Sequence, residues 1–331
     1  MFGIVGLGVM GQRRISSLRN ISGAKIAAVC DVDQDRVETV SRNVGCRGFT
    51  DYRDMIDSNY LDCVWVCVPN SFHREIALRI LKSGIHVVCE KPLSTNPRHA
   101  WEMVRAANEH GVFLKTASNH RYMPNVQRAR EILLSGEIGK PMFLRGFIGH
   151  RGTEFHAPWF LQPELSGGGT LIDNGVHLLD LSRWFLGEAT ECIGLIDTRY
   201  MKTATVEDQA LAIFRIGDNA CVSINCSWTE WYGYLYFEVY GEKGFLTVDC
   251  RRGNKLTYGL RSDDRINEFD FTGLPPQSYR LEAEQLVSYL REKRQPEPSG
   301  EDGARVIEMV DAVYRSSKLK QWVRLPERRA P

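Results

Sequence analysis

Three glycines near the start of the chain, Gly6-Leu7-Gly8-Val9-Met10-Gly11, constrain its fold more than any other feature, because of what flanks them. Phe2 to Val5 make a short apolar run before them, and a helical pattern over 10–20 follows at once. A second apolar run, 25–30, ends at Asp31, twenty residues after Gly11. Strand, glycine turn, helix, strand and terminal acid at this spacing predict a dinucleotide-binding fold, which the glycines alone would not. Gly6 permits the tight turn, Gly8 lets backbone approach a pyrophosphate, and Gly11 lets the helix lie close to the sheet. The helix N-terminus at Val9 and Met10 then offers N–H groups and positive dipole charge to the phosphates. Asp31 stands where a carboxylate bonds the adenine ribose hydroxyls and repels a 2′-phosphate, which favours NAD. Arg36 lies near enough to tolerate that phosphate, so NADP stays open. Asp33 is better placed than Asp31 to cap the helix over 33–44.

At 331 residues the chain exceeds the usual size of one domain, and the pattern divides near 118. Over 1–118, strands at 2–5, 25–30, 62–68, 85–88 and 112–117 alternate with helices at 10–20, 33–44, 71–83 and 95–110. A short strand near 46–49 and a helical turn near 51–57 complete the series. Apolar strands separated by amphipathic helices predict an α/β fold, a doubly wound parallel sheet covered on both faces. Over 119–331 the pattern changes to α+β. Helices at 124–135 and 171–186 flank a strand at 141–149. Strands at 191–200, 206–216, 219–229, 234–240, 244–249 and 255–260 then read as a large antiparallel meander. Helices near 278–293 and 301–319 close the chain. Alternating aromatics (Tyr232, Tyr234, Tyr236, Tyr240) imply that the second face of this sheet is also buried, most economically by a second copy of the chain.

A net charge of +1 provides no field to attract nucleic acid or an anionic membrane. No apolar stretch approaches the roughly 20 residues of a membrane span. The chain enters its first strand without a signal-like segment, and its nine cysteines contain no CxxC pair. Buried, reduced thiols in a cytoplasmic protein are the expectation.

Two segments end parallel strands, where open α/β sheets bind ligands: Pro69-Asn70-Ser71-Phe72-His73 and Glu90-Lys91-Pro92. Asn70, Ser71 and His73 also suit the first turn of the helix over 71–83. Lys91 follows the apolar run Ile85 to Cys89 and stands beside the nicotinamide in this reading. A third constellation begins at Gly167-Gly168-Gly169 and continues through Asp173, Asn174 and His177. Asp173 and His177 are four apart, so on a helix they share a face, and a carboxylate orients an imidazole for proton transfer. The glycine run before them points to a close approach of backbone to a ligand. A metal held by Asp173, His177, His150 and His156 matches no standard ligand spacing, so no metal is expected.

These residues together resemble the glucose–fructose oxidoreductase/inositol dehydrogenase (Gfo/Idh/MocA) family. The similarity runs in order from Gly6–Gly11 and Asp31 through Pro69-Asn70, His73, Glu90-Lys91-Pro92 and Trp159. It continues to the glycine triplet, Asp173, His177 and Gly241-Glu242-Lys243-Gly244. It implies an N-terminal Rossmann domain, a C-terminal domain with a large open sheet, and dimers or tetramers built through that sheet. It also implies an NAD(P)-dependent oxidoreductase acting on a ring secondary alcohol or ketone of a sugar, cyclitol or nucleotide-sugar. By resemblance, Lys91 holds the nicotinamide ribose and the reacting oxygen, Asp173 positions the substrate, and His177 is the general acid–base. Pro69, Asn70, His73 and Glu90 join the cofactor side, and the bond before Pro92 is expected to be cis. Arg121, His156, Trp159 and Asn174 shape the substrate pocket, and Arg121, Arg145 and Arg151 are open to a phosphate or, structurally, to an acid. Many members carry histidine where this chain has Arg14. An NAD-dependent glycosidase and a non-catalytic NAD(P)-binding regulator are the alternatives on the same scaffold.

Overall fold

The computed structural model describes residues 1–58, 60–152, 157–201, 205–274 and 277–327. Two compact units emerge: Met1–Asn119 with Ser278–Arg305, and His120–Gln277 with Val306–Pro331.

Among the described residues the first unit holds a six-stranded parallel sheet. Its strands are β1 (Phe2–Val5), β2 (Ile26–Cys30), β3 (Arg47–Phe49), β4 (Cys63–Val66), β5 (His86–Glu90) and β6 (Leu114–Ala117), in the order β3-β2-β1-β4-β5-β6. Between them run α1 (Val9–Leu18), α2 (Gln34–Val44), α3 (Tyr52–Asp57), α4 (His73–Lys82) and α5 (Pro97–Glu109). β1, β4 and β5 are apolar without alternation because both faces are covered; Ile4, Val64, Trp65, Val87 and Val88 are fully buried. The order reverses across β1 and β4, the topological switch point of a doubly wound sheet.

The second unit contains α6 (Pro124–Ser135), a short α7 (Pro163–Ser166) and α8 (Val176–Leu186). Its strands are β7 (Pro141–Gly149), β8 (Ala189–Asp197), β9 (Gln209–Ile216), β10 (Ala220–Ser227), β11 (Leu235–Gly241), β12 (Gly244–Asp249) and β13 (Lys255–Leu260). β14 (Ile266–Asp270) and β15 (Val323–Arg324) add edges that the sequence pattern does not reveal; β15 is two residues long, and four of the five β14 residues are exposed. The order β14-β13-β12-β11-β7-β10-β9-β8-β15 corrects the simple meander. β7 lies between β11 and β10, antiparallel to the first and parallel to the second, so the sheet is two meanders joined by an earlier strand. One face packs on α6, α8 and α10 (Gly300–Leu319) through Phe214, Phe237, Leu178 and Val313.

Helix α9 (Ser278–Glu292) changes the expected division at 118. Its Ala283, Leu286 and Val287 lie in the same cluster as Ile15 and Leu18 of α1. The segment Ser278–Arg305 therefore belongs with the first unit, although its sequence position groups it with the second. No helix among the described residues is long and apolar enough to cross a membrane, and all nine cysteines are free thiols.

Candidate active site

The dinucleotide end of the first unit is built as the glycine spacing requires. Gly6 has a φ of +89°, and a Cβ there would meet the Cys67 carbonyl oxygen at 2.5 Å. A Cβ on Gly11 would lie 1.9 Å from the Gly6 carbonyl oxygen, so α1 starts directly against the turn. Around Gly8 the space is open, with nothing within 4 Å of an added Cβ. No side chain caps the start of α1, and Val9 is 70% exposed. Uncapped N–H groups at the positive end of a helix beside an open glycine fit a pyrophosphate. At the end of β2, Asp31 Oδ2 accepts from the Leu7 N–H at 2.6 Å, and Oδ1 accepts from the Asp33 N–H at 3.1 Å. Arg36 Nη1 reaches the same carboxylate at 3.2 Å. Asp33 caps α2 by accepting from the Arg36 N–H at 3.0 Å.

The ends of β4 and β5 carry the other residues of the cofactor side. Asn70 opens a single 3₁₀ turn, Asn70–Phe72, and is buried. His73 is fully buried, with its ring nitrogens each 2.9 Å from a backbone carbonyl oxygen, of Pro92 and of Val68. Burial holds its imidazole below the usual histidine range. A neutral imidazole has one N–H, so His73 donates to one of these two carbonyls and packs against the other, between the β4 and β5 ends. Glu90 accepts from Arg14 Nε at 2.5 Å in a buried ion pair. Lys91 follows it, half-buried, and the Lys91–Pro92 bond is cis.

In the second unit the region 171–186 is not one α-helix. Leu171–Gly175 forms a π-helical turn carrying Asp173 and Asn174, and α8 begins at Val176. The α-helical spacing used to pair Asp173 with His177 therefore does not apply as written. Trp228 Nε1 donates to Asp173 Oδ2 at 3.2 Å, and His150 Nε2 lies 3.5 Å from the same oxygen. The His177 ring lies tilted against His120, 3.7 Å between centroids with the planes at 35°, and Tyr234 Oη shares a 2.6 Å hydrogen bond with His120 Nε2. Asp173, His177 and His120 are all buried. Asn174 donates to Thr170 Oγ1 at 3.4 Å. A carboxylate with a fixed indole donor and an imidazole held by a second ring are prepared to orient a hydroxyl and take its proton.

The glycine triplet serves a different purpose from the one its sequence implies. A Cβ on Gly169 would lie 1.9 Å from the Glu207 carbonyl oxygen, and one on Gly168 2.1 Å from the Tyr314 hydroxyl. The close approach is thus made by the protein's own groups, not by a ligand. The Glu207 carboxylate accepts from the N–H groups of Gly169 (2.9 Å) and Leu171 (3.1 Å) and from Tyr314 Oη (2.9 Å), which anchors the π-helical turn. Burial raises the carboxyl above the ordinary glutamate value.

Of the pocket residues, Arg121 is buried and paired with Asp180 through two bonds of 2.8 and 2.6 Å, with its guanidinium over Trp184, the structural one of the two roles open to it. Arg145 pairs with Glu238 at 2.6 Å on the sheet, and Arg151 Nη2 donates to the Trp231 carbonyl oxygen at 3.5 Å. Trp159 is half-buried, stacked on Phe160 in the 3₁₀ turn Pro158–Leu161. His156 lies outside the described residues. Among these residues no group of three or more His, Cys, Asp or Glu side chains is arranged to hold a metal.

Residues 1–118 match the Gfo/Idh/MocA oxidoreductase family with an NAD-binding Rossmann fold, and residues 126–247 match the Gfo/Idh/MocA C-terminal domain. The chain belongs to the Gfo/Idh/MocA family. Among its relatives is the myo-inositol 2-dehydrogenase of Thermotoga maritima, 30% identical over 98% of each chain. The inositol 2-dehydrogenase of Rubrobacter xylanophilus is 28% identical over 95% of this chain and 90% of its own. A crystal structure of an NAD-binding oxidoreductase from Klebsiella pneumoniae superposes with a TM-score of 0.90 at 25% identity, covering 98% and 99% of the two chains. Against the Gfo/Idh/MocA pattern, Arg14 now has an account, since it carries buried ion pairs to Glu90 and to Glu282. Sequence reasoning passed over Trp228, Glu207 and Glu282. Each sits in an ordinary strand, loop or helix pattern, and its partner lies far along the chain.

Proposed function

We propose that this Gfo/Idh/MocA oxidoreductase is an NAD-dependent dehydrogenase of a ring secondary alcohol on a cyclitol or free sugar. The observation that carries the reading is the pair of assemblies in the second unit: Asp173 held by Trp228 and His150, and His177 packed ring to ring against His120. The inositol dehydrogenases among the relatives support the substrate class. When bound, the nicotinamide supplies the hydride acceptor. His177 removes the hydroxyl proton as the alcohol carbon is oxidised and returns it in the reverse direction. The Lys91 ammonium favours negative charge on the reacting oxygen, and Asp173 fixes the hydroxyl it accepts from. Asn174 and Trp159 shape the sugar side. Asp31, oriented by two backbone N–H groups, favours NAD over NADP.

A nucleotide-sugar loses its support. Arg121 and Arg145, two of the arginines open to a phosphate, are paired with Asp180 and Glu238. The deciding experiment is NADH formation from cyclitols, free sugars, sugar acids and nucleotide-sugars with both cofactors. Turnover restricted to nucleotide-sugars would overturn the reading.

The exposed face of the second unit's sheet is the surface for self-association. Register aligns Leu195, Leu211, Asn225, Phe147 and Tyr236 across five strands. The next row is Ile193, Ile213, Ser223, Arg145 and Glu238. Leu195, Leu211 and Ile213 are about half exposed on a broad flat face, which a second copy would cover. Analytical ultracentrifugation should give a dimer or tetramer, dissociated by Ile213→Lys with Leu211→Lys.

A further inference from the structure

A four-charge cluster is closed off inside the first unit. Arg14 Nη1 donates to Glu282 Oε2 at 2.6 Å, Arg14 Nε to Glu90 Oε1 at 2.5 Å, and Lys115 Nζ to Glu282 Oε1 at 2.7 Å. Arg14, Lys115 and Glu282 are wholly buried and Glu90 is 5% exposed. Two cations face two carboxylates, so the cluster is neutral. The Arg14 guanidinium is also bracketed by aromatic faces, 4.6 Å from the Trp65 ring and 4.8 Å from Tyr279. Burial opposes ionisation of Glu282, but Lys115 and Arg14 outweigh it and hold the carboxyl below the ordinary glutamate value. A cluster of this kind does little for net stability compared with apolar packing, and its best-attested use is to enforce one geometry.

The geometry it enforces is that of the turn after β5. Glu90, the last residue of β5, is fixed by Arg14, and Arg14 is fixed by Glu282 of α9. Two residues on, the Pro92 carbonyl oxygen lies 2.9 Å from the buried His73 ring. Lys91 is the residue between the two anchors.

We propose that Glu282 is a positioning residue for Lys91, acting through Arg14 and Glu90 as one jaw of a clamp whose other jaw is His73. This rests on the reading of Lys91 as the cation at the reacting oxygen. A helix contributed by the distant segment Ser278–Arg305 thereby sets the ammonium of a residue far earlier in the chain.

The test uses the charge-balanced variant Glu282→Gln/Lys115→Met, alone and combined with Lys91→Met, in the full chain. Misplacement of a positioned group predicts a roughly 10- to 100-fold fall in kcat with substrate KM little changed. Because Glu282 acts through Lys91, introducing Glu282→Gln/Lys115→Met into the Lys91→Met chain must produce no further loss. In the chain without cofactor, the amides of Lys91, Leu93 and Ser94 must exchange hydrogen faster than in the parent. Unchanged kcat, or losses that multiply with Lys91→Met, would overturn the proposal. If the double variant does not fold, Arg14→Lys, which keeps the charge but loses the fork that spans two carboxylates, carries the same comparison. Full activity of Lys91→Met alone would instead overturn the reading of Lys91, and the exchange measurement would still decide whether the clamp exists.

Discussion

Trp228 Nε1 donates to Asp173 Oδ2 across 3.2 Å, joining the segment just beyond β10 to the π-helical turn that precedes α8. The indole is buried, 1% exposed. Trp228→Phe keeps most of the packing and removes the donor. A buried hydrogen bond to a charged group is worth about 1.5–3 kcal/mol, so denaturant unfolding should show a loss within that range. Turnover should fall by roughly tenfold or more, because Asp173 then keeps His150 but loses its fixed donor. Unchanged turnover would mean that Asp173 does not depend on Trp228 for its orientation.

His177→Ala should lower turnover by roughly 10²–10⁴, the usual contribution of a positioned acid–base group. NADH affinity, followed by nicotinamide fluorescence, should survive. His120→Phe keeps a ring against His177 but breaks the bond to Tyr234, so it should cost much less than His120→Ala. Equal losses from the two would deny the ring contact a positional role.

Asp31→Asn retains an acceptor for the Leu7 N–H while removing the charge that holds Arg36. The guanidinium is then available to a 2′-phosphate, and charge-assisted bonds of this kind correspond to about a 10- to 100-fold change. The ratio of kcat/KM for NADP to that for NAD should rise by such a factor. A ratio that stays put would place ribose recognition on other residues.

Acid should weaken the first unit through Glu282. Its folded carboxyl lies below the ordinary value, so the stabilisation it provides is fully present above the unfolded glutamate value of about 4.3. It is lost as pH falls through the lower folded value, because protonation leaves Arg14 and Lys115 buried without their shared anion. Thermal unfolding between pH 7 and pH 3 should show a smaller acid loss for Glu282→Gln/Lys115→Met than for the parent. Identical profiles would remove Glu282 from the acid response.

Arg121→Met should destabilise the second unit by about 3–5 kcal/mol, since it leaves Asp180 buried without its cation. The double change Arg121→Met/Asp180→Leu should recover most of that loss in denaturant unfolding. Failure of the second change to rescue would show that Arg121 contributes through contacts other than the ion pair.

Local pattern alone determined much of this protein. The glycine turn, the acid ending β2 and the alternation of strand and helix specify the parallel sheet, because each depends on neighbours in sequence and on hydrophobic period. The bounds of α6, β7, β12 and β13 were legible for the same reason, as were the bounds of β1, Phe2–Val5. The tertiary structure decided the rest. It placed β7 between β10 and β11, a pairing that hydropathy leaves open because it concerns which edge a strand meets. It gave the glycine triplet to Glu207 and Tyr314, Arg121 to Asp180, and Arg14 to Glu90 and Glu282. A buried charge must find a counter-charge, but sequence does not say which one, and Arg14 and Glu282 are 268 residues apart. Only folding brings such partners within bonding distance.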